Sequence, residues 1–281
     1  MSAAVEIRDL SVVHRRPWPA GGKPVTALDR VSLRIAPGEI FGLVGESGSG
    51  KSTLARVLLR FLRPASGDVS VAGADPAMLR GTALKAWRRR VQPVFQDSVA
   101  ALDPRARIGA SLREGLDLHA IGPRSGRAAA VAGLLEHVGL DPDHALRYPH
   151  QLSGGQRQRV AIARALSLSP DILIADEPVS ALDLSVQAQI LGLLTTLCRE
   201  RGMTMLFISH DLGVVRQISD RIGVLQRGCL VEEGPVVQVF RAPRHPYTQE
   251  LLAAAPFVDF AALRGTSAPV SADRSRQAEM A

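Results

Sequence analysis

An α/β fold, with helices packed around a buried parallel sheet, is predicted by three stretches of this chain. Ile40-Phe41-Gly42-Leu43-Val44 is a short apolar run that passes directly into the loop Gly45-Glu46-Ser47-Gly48-Ser49-Gly50-Lys51-Ser52-Thr53. Asp171-Ile172-Leu173-Ile174-Ala175 is a second, ending in Asp176-Glu177, and Met203 to Ile208 is a third, ending in Ser209-His210. Continuous apolar runs of this length suit strands buried on both faces. Polar, chemistry-bearing residues at their carboxyl ends suit the edge at which open α/β sheets bind ligands.

The loop matches the phosphate-binding pattern G-x-x-x-x-G-K-[S/T] at every fixed position. Gly45, Gly48 and Gly50 let the backbone approach phosphate without Cβ clashes. Lys51 can reach the β- and γ-phosphates, and the Ser52 hydroxyl can bind Mg²⁺. Beyond Thr53, Leu54, Val57, Leu58 and Phe61 recur at helical spacing until Pro64. Strand, loop and helix together aim backbone N–H groups and a helix N-terminus at an anion.

The other elements follow in order. Val5, Ile7, Leu10 and Val12 alternate loosely, as in a strand, and Pro17 to Pro24 reads as a loop or hairpin tip. Val31, Leu33 and Ile35 mark a half-buried strand that Pro37-Gly38 turns into the phosphate loop. A short strand is expected between Gly67 and Gly73, a helix over 77–90 and a strand over 91–95 that ends at Gln96. Residues 98–152 change composition and show helical periodicity at Val131, Leu134, Leu135 and Val138, which predicts a mostly helical insertion. Ser153-Gly154-Gly155-Gln156 leads into a helix reaching about Leu168, and Val186, Ile190, Leu193, Leu194 and Leu197 form the stripe of another. Residues 222–225 and 230–232 flank Arg227-Gly228 as a hairpin. The small, polar end of the chain, 259–281, is expected to be disordered.

Composition narrows the classes of function. The chain has 281 residues, 46% hydrophobic but only 4% aromatic, so its core is expected to be mostly aliphatic. No apolar run is long enough to cross a membrane, and Met1 to Glu6 lacks the features of a signal peptide. Two cysteines, Cys198 and Cys229, without C-x-x-C spacing read as inert thiols and offer no basis for a zinc or iron–sulfur site. The net charge of +7 is carried by scattered arginines, and the run Arg88-Arg89-Arg90 has no interleaved aromatics for base stacking. A solvated or membrane-proximal face is therefore expected rather than a nucleic-acid site. His119, His137, His144 and His150 match no metal-ligand spacing and read as surface or packing residues.

Asp176, at a strand end, is suited to hold Mg²⁺ directly or through water, and Glu177 beside it to polarise an attacking water. Leu152-Ser153-Gly154-Gly155-Gln156 then resembles the signature of ATP-binding-cassette (ABC) ATPases. The family's remaining motifs follow its order: Gln96 matches the Q-loop, Ser180-Ala181-Leu182-Asp183 the D-loop and His210 the switch histidine. The resemblance covers about residues 5–255 and implies a P-loop NTPase fold: a RecA-like core, an antiparallel β subdomain and a helical subdomain at about 98–155. It also implies ATP and Mg²⁺ as ligands, with Gln96 sensing Mg²⁺ and the attacking water and His210 contacting the γ-phosphate. Ser153, Gly154, Gly155 and Gln156, with Asp183, would complete the ATP pocket of another subunit, head to tail.

Within the family the chain is similar to the peptide/nickel importer ATPases. Val94-Phe95-Gln96-Asp97, Tyr148-Pro149-His150-Gln151-Leu152 and Asp176-Glu177-Pro178-Val179 have that subgroup's form. So does His245-Pro246-Tyr247-Thr248 with Leu251 to Pro256, in a C-terminal extension at about 236–258. The likeness implies a peripheral ATPase on the cytoplasmic face of the inner membrane. Its expected partners are a second ATPase subunit, two transmembrane permease subunits and, indirectly, an extracytoplasmic solute-binding protein. Three departures accompany it. His14 stands where an adenine-stacking aromatic is expected, with Trp18 as a fallback; Ser98 replaces a frequent proline; and the cysteine cluster of some relatives is absent, so no iron–sulfur centre is expected. The alternatives are a soluble ABC ATPase of a nucleic-acid or multienzyme complex, such as one of phosphonate breakdown, and an exporter subunit.

Overall fold

A computed structural model describes residues 3–14, 24–96 and 102–254 of the chain. Trp18, Asp97, Ser98 and the tail 259–281 lie outside the described residues.

The first layer is antiparallel. Strands β1 (Val5–His14) and β2 (Val25–Ile35) pair, and β4 (Ser66–Val71) pairs with β1 on its other side. The uneven spacing of Val5, Ile7, Leu10 and Val12 has a physical cause. Asp9 takes a φ of +48° in a bulge, the register shifts between Ile7 and Leu10, and all four side chains remain buried. Strand β2 starts well before Val31, because its first residues pair with Val13 and His14 instead of joining the loop.

The second layer is a six-stranded sheet in the order β5 (Val91–Phe95), β6 (Ile172–Asp176), β7 (Thr204–Ile208), β3 (Ile40–Val44), β8 (Arg221–Gln226), β9 (Cys229–Pro235). All its pairings are parallel except β8 with β9. Its central strands divide their side chains between two cores. Ile40, Leu173, Ala175, Met205 and Phe207 face one, and Phe41, Leu43, Ile172, Ile174, Leu206 and Ile208 face the other. Burial on both faces is what makes these strands unbroken apolar runs.

Helix α1 (Lys51–Leu58) and the antiparallel layer cover one face, with Trp87 of α2 (Gly81–Arg90) donating its indole N–H to the Val71 carbonyl at 3.0 Å. The other face carries α5 (Gly154–Leu166), α6 (Leu184–Arg201) and α7 (Leu212–Ile218). The stretch after β5 holds α3 (Ile108–Leu118), α4 (Arg127–His137) and short 3₁₀ turns, packed through Ile108, Leu112, Val131 and Leu135. Buried Cys198 on α6 has its thiol pushed up to about 12 by desolvation, which makes it a poor nucleophile.

Two helices differ from expectation. The stripe that included Phe61 predicts a longer α1, yet that helix stops at Leu58. Arg60 takes a φ of +60°, and the amides of Phe61 and Leu62 both donate back to the Arg56 carbonyl at 2.7 and 3.1 Å, which closes the helix and leaves Phe61 61% exposed. Helix α2 begins at Gly81 rather than 77, because the Asp75 carboxylate captures the Ala77 amide at 2.8 Å in a turn.

Helices α8 (Val236–Arg241) and α9 (Pro246–Ala254) close the described chain against β9. The Glu232 carboxylate accepts the amides of Arg244 at 2.9 Å and His245 at 3.0 Å, at the entry to α9. Burial alone would raise that carboxyl, but the neighbouring Thr248 side chain and these two amides hold it below the usual glutamate range. A depressed carboxylate stabilises the fold above its unfolded-state pKa and loses that contribution as pH falls through the depressed value. Glu232→Gln is therefore expected to lower the melting temperature at pH 7 by about 2 °C or more. The gap from wild type should close in acid, which calorimetry across pH 7 to 3 would reveal.

Candidate functional site

The parallel strands deliver every sequence-selected group of the core to one edge. The phosphate loop follows β3, Gln96 follows β5, Asp176 and Glu177 end β6, and His210 lies just beyond β7. Register keeps them level: Phe95 pairs with Asp176, and Asp176 with Ile208.

The loop is pressed against its surroundings so closely that glycine is required. Gly45 has a φ of +150°, and a Cβ there would lie 2.1 Å from the Leu225 carbonyl oxygen; at Gly50, with φ +111°, it would lie 2.6 Å from that of Ala27. The Gly228 amide, in the β8–β9 turn, donates to the Ser49 carbonyl at 2.8 Å and fixes the loop's far side. No side chain caps the start of α1, so its first-turn amides are available to an anion. Lys51 is 5% exposed, and its Nζ donates to the Gly45 and Glu46 carbonyls at 2.7 and 2.8 Å. Burial lowers the pKa of this ammonium, against the pull of Glu177 and Asp176.

One contact joins the phosphate loop to the acidic strand end, and a second joins the residues that follow β6 and β7. Ser52 Oγ donates to Asp176 Oδ1 at 3.1 Å, and His210 Nδ1 lies 3.2 Å from Glu177 Oε2. Burial holds the Asp176 carboxyl above its usual range, with the Ser52 hydrogen bond opposing. Glu177 leaves its strand with a φ of +49°, a conformation costly for a residue with a Cβ; its amide is held by the Ile208 carbonyl at 2.9 Å. That turn swings its carboxylate towards His210. Gln96 is exposed at the neighbouring strand end. His14 ends β1 with Nε2 3.5 Å from the Thr53 hydroxyl, which sets its ring beside the first turn of α1.

The signature segment lies elsewhere. Ser153 caps α5: its Oγ accepts the Gln156 amide at 3.2 Å, and Gln156 Oε1 accepts the Ser153 amide at 2.9 Å. The contacts of this segment run to its own helical region and to α6. The Gln156 amide group sits 3.4 Å from His144 Nε2, and a Cβ on Gly155 would meet Val186 Cγ1 at 2.6 Å. Asp183 caps α6 by accepting the Val186 amide at 2.9 Å, and this bond draws its carboxyl below the usual range.

Sequence patterns left Tyr247 without a task. Its phenol oxygen accepts the Glu46 amide at 3.0 Å, a bond from α9 into the phosphate loop. The signal was the His245-Pro246-Tyr247-Thr248 string, which marks the residue without indicating its distant partner.

Together, fold and loop define a nucleotide-binding cassette of the phosphate-loop class. The ABC transporter family model matches residues 28–180. The chain is 46% identical over 256 residues to the oligopeptide transport ATP-binding protein OppF of Streptococcus mutans, a match covering 91% of this chain and 82% of that protein. It is 51% identical over 237 residues to the glutathione import ATP-binding protein GsiA of Pectobacterium atrosepticum. There the match covers 84% of this chain but only 38% of GsiA, so the chain spans well under half of that relative. Among solved structures, the ATP-binding cassette MJ0796, a dimer bound to ADP and Pi, superposes with a TM-score of 0.74 at 32% identity, covering 83% of this chain and 98% of that one. This chain belongs to the ABC transporter family, as an ATP-binding cassette.

Proposed function

We propose that this cassette hydrolyses ATP to power an importer of a small, peptide-type solute, from the cytoplasmic face of the inner membrane. The observation that carries the catalytic reading is the pair of contacts at the sheet edge, Ser52 with Asp176 and Glu177 with His210. Ser52, Asp176 and Gln96 are the groups that would hold Mg²⁺. A hydroxyl, one carboxylate and an amide oxygen form a hard-oxygen set that leaves positions for phosphate and water, as Mg²⁺ prefers. The bound ion would offset charge on the β- and γ-phosphates. The loop amides and Lys51 bind those phosphates, and Thr53 and His14 border the nucleotide on the antiparallel side. Glu177 accepts the proton of the water that attacks the γ-phosphorus as the bond to the β-phosphate oxygen breaks. His210 orients that carboxylate and reaches the γ-phosphate.

The separation of the signature from the loop supports a head-to-tail pair of cassettes. Ser153, Gly154, Gly155 and Gln156, at the N-terminus of a 13-residue helix, would meet the phosphates held by a second ATPase subunit. Asp183 would lie at that interface. The peptide-type reading rests on the OppF and GsiA relatives and on the His245 to Thr248 string. On that reading the partners are two transmembrane permease subunits and, indirectly, a solute-binding protein.

Among the described residues no helix is long and apolar enough to cross a membrane. A groove of about 680 Å³ between the core and the helical region suits a cytoplasmic segment of a permease. It is lined by Arg88, Gln92, Phe95, Glu114, Leu118 and Arg164, directly beside Gln96. Leu118 is 60% exposed, and Phe61 packs its ring 6.2 Å from that of Phe95. Covering one such side chain contributes about 1.5–3 kcal/mol, or roughly ten- to hundredfold in affinity. Leu118→Asp is expected to weaken permease association by about tenfold or more, and to abolish uptake, while ATP affinity stays at the wild-type level. Uptake and permease recovery that both remain normal in this variant would contradict the docking assignment.

A further inference from the structure

We infer that Tyr247 is a positioning residue for the phosphate loop, through which the C-terminal extension sets the affinity for nucleotide. Its phenol oxygen accepts the Glu46 amide at 3.0 Å, and the side chain is only 5% exposed. The helix that carries it is itself held in place. Glu232 on β9 accepts the Arg244 and His245 amides, and the Tyr247 amide donates to His245 Nδ1 at 3.2 Å. Strand β9 pairs with β8, whose Leu225 carbonyl presses on Gly45. The extension and the loop therefore share one rigid support.

Glu46 is gripped at both ends of its backbone. Its carbonyl accepts from Lys51 Nζ and its amide donates to Tyr247. When the Lys51 ammonium turns to the phosphates, the carbonyl loses that partner, but the Tyr247 bond does not depend on the lysine. It then holds the Gly45–Glu46 peptide in the orientation that the close approach at Gly45 demands. A loop kept in its binding shape forfeits less entropy when nucleotide arrives. Burial holds the phenol above its usual range, so it stays neutral through the physiological range.

The inference rests on the nucleotide reading of the loop, which titration of wild-type protein checks separately. In Tyr247→Phe the ring is kept and one hydrogen bond is lost. ATP and ADP dissociation constants and the KM for ATP should rise about fivefold, with kcat unchanged. Hydrogen exchange at the Glu46 amide should accelerate in the same variant. Glu232→Gln should produce part of the same affinity loss, and should add nothing to it in the Tyr247→Phe background. Wild-type affinity and wild-type Glu46 exchange in Tyr247→Phe would overturn the inference. So would a lowered melting temperature with affinity unchanged, which would make Tyr247 a packing residue only.

Discussion

Replacing Glu177 with glutamine is expected to slow ATP hydrolysis about a thousandfold while MgATP affinity stays near that of wild type. Glutamine matches the carboxylate in size and can still accept a hydrogen bond from His210, so the edge keeps its shape. What it loses is the ability to take a proton from water. The strained φ of +49° at position 177 serves the same geometry in both forms, because backbone and not side chain sets it. Single-turnover hydrolysis beside equilibrium nucleotide binding separates the two effects. A variant that hydrolyses ATP at the wild-type rate would remove Glu177 from the chemistry.

Lys51→Ala is expected to act at the earlier step and to weaken ATP binding about a hundredfold, since charge-assisted bonds to two phosphates are lost together. Without nucleotide the ammonium is stowed among the Gly45 and Glu46 carbonyls. Its removal also takes one donor from each of those carbonyls, although Glu46 keeps the Ser49 amide at 3.1 Å, so a modest fall in melting temperature should accompany the loss of affinity. Isothermal titration with ATP, alongside calorimetry of the free protein, distinguishes this from general unfolding. Undiminished affinity would mean that the loop amides alone hold the nucleotide.

The parts of the fold most legible in the sequence were those with a local cause. Strands β3, β6 and β7 are apolar throughout because each is buried on both faces, and the residues that follow them stand out by contrast. In β1 the sequence shows only a loose alternation, and the bulge at Asp9 accounts for its irregular spacing. What escaped was set by partners far along the chain. The apolar stripe beyond Thr53 ran through Phe61, but the helix ends early, which turns that ring out towards Phe95 and the groove. Nothing near Val25 announces a strand, since its pairing partner, His14, lies in β1. Asp183 carried a family motif, yet its visible task within this chain is to cap α6. Tyr247 lies some two hundred positions from Glu46, a separation of 201, and local periodicity cannot encode such a contact.

Operation of this cassette as one part of a membrane importer would show in the proteins that travel with it. It is tested most directly by affinity purification of tagged Glu177→Gln protein with ATP and Mg²⁺ from detergent-solubilised cells. Slow hydrolysis should hold the closed assembly together, so two transmembrane subunits and a second ATPase should be recovered with the tagged protein. Recovery of soluble enzymes, ribosomes or DNA without any membrane subunit would contradict the importer role.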